Sequence, residues 1–134
     1  MFCHTRETQN RTAKVGRIHP AERVITRAAQ TLEKGGASAL LADALTIQGT
    51  ALARLGAGEE SIGVLRRAVS MAEEAGALTN AGLAALALIE EHGTRRVLPR
   101  AELYALYLRA ERLLRGTRDE EDKDRLLACA RVVM

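Results

Sequence analysis

From Pro20 to the end of the chain, apolar residues recur three and four positions apart, and glycine or proline breaks the pattern at intervals. That recurrence puts them on one face of an α-helix, and the breaks divide the stretch into six helices. The first spans about Pro20–Lys34, with Val24, Ile25, Ala28, Ala29 and Leu32 in line, and ends at Gly35-Gly36. The second, about Ser38–Leu55, carries Leu41, Ala44, Leu45, Leu52 and Leu55 and stops at Gly56. The third, about Glu59–Ala75, buries Ile62, Leu65, Ala68, Val69 and Ala72 and stops at Gly76. A fourth, capped by Thr79 or Asn80, runs to His92 through Leu83, Leu86, Ala87 and Ile89 and stops at Gly93. The fifth, about Pro99–Arg115, lines up Leu103, Leu106, Tyr107, Ala110, Leu113 and Leu114 before Gly116. Thr117 and Glu120 have the spacing of a capping box, which launches a sixth helix through Leu126, Leu127, Ala130 and Val133.

Composition agrees with helices alone. Hydrophobic residues make up 47% of the chain but aromatics only 2%. Ala and Leu favour helices, and few residues favour strands. The fold class expected is all-α, about six helices paired into antiparallel hairpins. Residues 1–18 lack apolar periodicity and are expected to form a disordered basic tail ahead of one helical domain, residues 19–134. Residues 1–36 hold seven basic and three acidic residues, while residues 37–134 hold thirteen and fourteen, so the net +3 belongs to the N-terminal end. A body of mixed sign is a solvated surface, and nucleic acid is not the expected partner. No apolar run reaches the ~18 residues of a membrane span. The N-terminus has no apolar core of a signal peptide, which points to the cytoplasm and leaves Asn10-Arg11-Thr12 without a glycosylation role.

The candidate chemistry is sparse. Cys3 and Cys129 stand near opposite ends without metal-like spacing. His4, His19 and His92 are isolated from any acid–nucleophile pattern, and His92 in a last helical turn reads as a cation at the dipole's negative end. The pairs Glu73-Glu74 and Glu90-Glu91 and the run Asp119–Asp122 point ~100° apart along a helix, so they do not converge on one ion. Gly56-Ala57-Gly58 follows no strand and precedes no Lys-Ser/Thr, so it is a helix–helix turn and not a phosphate loop. Tyr104 and Tyr107 read as packing residues with surface hydroxyls, and Arg95, Arg96 and Arg100 as a solvated basic cluster. Neither an enzyme nor a cofactor is expected.

A repeat underlies the helices. Gly56 and Gly93 lie 37 residues apart, and Ala28, Ala68 and Ala110 fall at separations of 40 and 42. Such spacing marks stacked hairpins, each burying its face on the next. The stretch from Ala44 to Gly56, followed by Glu59 to Val69, resembles a tetratricopeptide repeat. Leu45 matches that family's large residue early in the first helix, Gly49 its small one, Leu52 the large residue after it, and Gly56 the turn glycine. Ser61, Leu65 and Ala68 match the small, bulky and closing positions of the second helix. Gln48 and Gly58 depart from the pattern, and the terminal proline is missing. The longer helix ending at Gly76 is similar to helical-repeat regions of large bacterial regulators.

The resemblance implies a right-handed superhelix whose concave surface, made by the first helix of each pair, holds a peptide or protein segment. Carried over by position, that groove comprises Asp43, Thr46, Thr50, Arg54, Asn80, Leu83, Ala87 and Glu90. The family's basic carboxylate clamp is absent. The chain is therefore expected to be a protein–protein interaction module. The other readings are a regulatory or sensory segment of a bacterial transcription regulator, and self-association or continuation into a longer array, since neither end carries a polar cap.

Overall fold

The computed structural model describes residues 36–134, which form five α-helices and no strand. These are α1 (Ala37–Arg54), α2 (Gly58–Glu74), α3 (Leu78–His92), α4 (Arg100–Leu113) and α5 (Glu120–Val133). They are the second to sixth of the expected helices. The first, Pro20–Lys34, lies outside the described residues, as do the tail and the boundary at residue 19.

Two turns of identical design set the first half. At Gly56 the amide bonds to Ala53 O and the next amide, of Ala57, reaches back to Leu52 O; at Gly76 the pairs are Gly76–Glu73 and Ala77–Ala72. This is the Schellman closure, which needs a left-handed residue after the helix, and Gly56 and Gly76 have φ of 88° and 75°. Gly93 differs. Its φ is −67°, and glycine is needed there because a Cβ would lie 2.6 Å from Val132 Cγ1 of α5 and 2.5 Å from Ile89 O.

Each helix touches its neighbour in sequence, and α1, α3 and α5 also touch in succession. The second set of helices lies behind that row: α2 packs against α1 and α3, and α4 against α3 and α5. Ion pairs Arg66–Glu102 and Arg109–Glu73 tie α2 to α4. Their separations of 36 residues match others across the row: Asp43–Asn80 and Arg54–Glu91 at 37 and Glu90–Arg125 at 35. The side-chain pairs between α1 and α3, α3 and α5, and α2 and α4 therefore all join residues 35 to 37 apart in sequence.

The core centres on α3, where every residue from Asn80 to Ile89 is buried. A helix apolar on all sides belongs in the middle of a structure. Close approach depends on missing side chains. A Cβ on Gly49 would lie 2.5 Å from Leu65 Cγ, and one on Gly82 would lie 2.6 Å from Leu114 Cγ.

Three expectations are corrected. Helix α1 buries Ala39, Ala42, Leu45, Gly49 and Ala53, while Leu41 and Leu55 are 48% and 82% exposed. Small residues face the core because α2 and α3 come too close for large ones. The cap of α3 is Ala77, not Thr79 or Asn80. In α5 the cap is Asp119, whose side chain accepts from the Glu121 and Asp122 amides, while Thr117 Oγ1 accepts from Asp119 N. Asp122, in the same first turn, is 1% exposed.

Candidate functional site

All eight groove residues carried over by position lie together. Asp43, Thr46, Thr50 and Arg54 of α1 and Asn80, Leu83, Ala87 and Glu90 of α3 line one open cleft of about 780 Å³. The α-helical rise puts successive exposed positions of one face three or four residues apart, so α1 contributes a wall along most of its length. Ile47, Ala51 and Leu55 complete that wall, and Glu91 extends the row on α3. The opposite wall is α5, through Glu121 and Arg125.

The floor is apolar and fixed. Leu83 and Ala87 are 8% and 3% exposed, with Asn80 at one end. Each wall is tied to α3, at three points in all. Asn80 Nδ2 donates to Asp43 Oδ1 at 2.7 Å, and Arg54 Nη2 donates to Glu91 Oε2 at 3.5 Å. Arg125 grips Glu90 with both nitrogens, Nε to Oε2 at 2.8 Å and Nη2 to Oε1 at 2.7 Å. That two-pronged geometry fixes direction as well as distance.

Cleft electrostatics follow from the same residues. Asp43, Glu90, Glu91 and Glu121 outnumber Arg54 and Arg125, leaving a surplus of two negative charges. The threonines add acceptors only. Thr46 Oγ1 donates to Ala42 O at 3.0 Å and Thr50 Oγ1 to Thr46 O at 2.9 Å, the back-bonding common for hydroxyls within helices. With their protons used, these hydroxyls offer the cleft a methyl group and lone pairs. The site thus presents apolar surface and acceptors, and few donors.

Beneath the Arg54 end lies a buried polar tie. Ser61 Oγ donates to Gly49 O at 2.6 Å and sits 2.8 Å from His92 Nε2. The hydroxyl has one proton and the Gly49 carbonyl takes it, so His92 must carry its proton on Nε2 and donate to Ser61. Burial, then the nearby Arg95, lowers the His92 pKa, with Glu91 opposing, which favours the neutral ring. The surface cation expected in this last turn is instead a buried neutral imidazole joining α1, α2 and α3. Ser61 and His92 are 0% and 1% exposed, so the pair is closed to substrate and its serine proton is already engaged.

Other sequence candidates disperse. Arg95 Nη1 reaches Ala53 O at the end of α1, and Arg100 Nη2 reaches Met134 O at the end of α5, so two members of the basic cluster serve helix C-termini. Tyr107 is 8% exposed and Tyr104 49%, which separates a packing ring from a surface one. Cys129 is a buried thiol donating to Leu86 O at 3.8 Å. Burial, with help from Glu90 and against Arg125, pushes its pKa up to about 12. No group of three or more His, Cys, Asp or Glu among the described residues is arranged to hold a metal ion, and no described helix is long and apolar enough to cross a membrane.

The cleft residues missed from sequence are Ile47, Ala51 and Leu55 of α1, Glu91 of α3, and Glu121 and Arg125 of α5. The contribution of α5 was legible in the period: about 36 residues beyond Glu90 lies Arg125. Comparison with known proteins finds no match for this chain, whether among family models, curated proteins or solved structures.

Proposed function

We propose that this chain is an interaction module of the tetratricopeptide type, its hairpins stacked in a right-handed superhelix, which holds a segment of another protein in the cleft of α1, α3 and α5. The observation that carries the reading is the gathering of eight residues, chosen by repeat position alone, into one apolar-floored cleft. Further support comes from the 35- to 37-residue ladder of side-chain pairs, the pattern of hairpins repeating one contact set. The free thiol of Cys129 suits a reducing cytoplasm.

The chemistry of the cleft specifies the segment. An apolar floor takes aliphatic side chains, and an acceptor-rich rim with surplus carboxylates takes lysine or arginine. An amphipathic segment with an apolar face flanked by cations fits both. Direct binding tests this, measured by fluorescence anisotropy with two short helical peptides that share leucines on one face and carry either lysines or glutamates on the other. The lysine peptide is expected to bind, more weakly as salt rises. A Thr46→Arg/Thr50→Arg/Asn80→Arg variant of unchanged helicity is expected to lose it. Equal binding of both peptides, or an unaffected variant, overturns the reading.

A further inference from the structure

Two ion pairs at one end of the cleft are made differently. Arg125 holds Glu90 through two hydrogen bonds, of 2.8 and 2.7 Å. Arg54 reaches Glu91 through one contact of 3.5 Å, at the limit of a hydrogen bond. The Arg54 side chain is 72% exposed, whereas that of Glu91 is 14% exposed. Glu90 is thus satisfied, while Glu91 is a largely enclosed carboxylate with a poorly placed counterion. A charge withdrawn from water needs a close and well-directed partner. Among the described residues Glu91 pairs with no other cation.

Glu91 also stands where helix physics opposes it. It lies in the last turn of α3, next to the terminal His92, and Arg54 is the last residue of α1. Backbone carbonyls at a helix C-terminus carry negative partial charge, so the position disfavours a carboxylate and favours a cation. For Glu90 that cost is offset by the two-pronged tie to α5. For Glu91 it is not, because a long contact to an exposed arginine contributes little. Holding α1 to α3 therefore does not account for a glutamate here. Arg95, the other cation near this end, is directed at Ala53 O. Both Arg54 and Glu91 line the cleft, and Ala87 of its apolar floor lies one helical turn before Glu91.

We infer that Glu91 is the cleft residue that receives the partner's side-chain cation, and that Arg54 holds the place by an ion pair which the incoming side chain displaces. The inference rests on the reading of the cleft as a site for an apolar segment flanked by cations. Arg54 then acts as a threshold. A segment without a cation meets a guanidinium over Glu91 and gains nothing by moving it. A segment with a lysine exchanges one long contact for a short, charge-assisted one. Selection of this kind works by making the wrong partner worse. The Arg125–Glu90 pair stays closed throughout and keeps α5 in place as the opposite wall.

Fluorescence anisotropy with the leucine-and-lysine helical peptide tests it, on full-chain variants of equal helicity at low salt. Arg54→Gln removes the competitor at an exposed site and is expected to tighten binding by about threefold to tenfold. Glu91→Gln, nearly isosteric, is expected to weaken it by about tenfold. In Arg54→Gln/Glu91→Gln the gain from the first change should vanish, because the two residues act on one place. Arg95→Gln removes the same charge near the same end without touching the pair, and should alter affinity by less than about twofold. Should the peptide bind wild type while Arg54→Gln brings no gain, or an equal gain with Glu91 replaced, the inference fails and the cleft reading stands. Should it bind neither wild type nor Arg54→Gln, the cleft reading falls and the inference with it.

Discussion

Helices α1 and α3 both line the cleft and are built in opposite ways. In α3 the whole run Asn80–Ile89 is buried, and its exposed residues lie at the two ends, Leu78, Thr79 and Glu90. In α1 a narrow seam of alanine and glycine with Leu45 is buried, and the leucines at 41 and 55 look outward. The difference lies in the number of neighbours. Helix α3 is packed against all four other described helices, whereas α1 meets α2 and α3 alone among the described elements. Apolar composition therefore reports how many sides of a helix are occupied, and residue size reports how close the neighbours come.

The largest test of that contrast is truncation. Leu86→Ala in α3 removes a side chain with 0% exposure and should cost about 2–5 kcal/mol in urea unfolding. Leu55→Ala on α1, at 82% exposure, should cost under ~1 kcal/mol. Equal losses would erase the distinction.

Glycine replacements sharpen it next. Gly49→Ala drives a methyl into Leu65, which is itself 0% exposed, and overpacking of that kind costs about 1–3 kcal/mol. Gly63→Ala, in the same hairpin on an open face of α2 with nothing near its Cβ, should stabilise by up to ~1 kcal/mol through helix propensity. Opposite signs in thermal unfolding are expected. A gain at both sites would mean that the α1–α2 seam is looser than it looks.

The smallest effect is the pH response of the tie joining both helices. The folded His92 pKa lies below the ordinary 6.5, first because of burial and then Arg95. As pH falls through 6.5 the unfolded chain takes up the proton before the folded one, so stability declines on the acid side; above neutrality both forms are unprotonated and the contribution vanishes. His92→Gln keeps a donor near the Nε2 position without a titrating ring. The stability difference between wild type and variant should therefore narrow or reverse from pH 7.5 to 5.5, and a constant difference would remove His92 as the sensor.

Much of this architecture is readable from residues alone, because glycine and proline punctuate it. Gly56, Gly76 and Pro99 place three boundaries to within a residue or two. What fails to show is which way each helix faces. Leu41 and Leu55 read as core residues on hydrophobicity, whereas the close approach at Gly49 reserves the inner face for small ones. The His92 environment depends on Ser61, 31 residues away, with no local signal. Asn80 has the chemistry of a cap but is spent on Asp43. In the cleft, position within the repeat locates α1 and α3, and extending the period once more reaches α5.

The burial of α3 has a consequence for recognition. Leu83 and Ala87 are nearly enclosed by the helices packed around α3, and Asn80 is held by its hydrogen bond to Asp43. On the proposed reading, a docking segment would lose mainly its own freedom on association, with little ordering cost from the receptor surface. Such a surface behaves as a rigid template, selecting by shape and charge with little room to adapt.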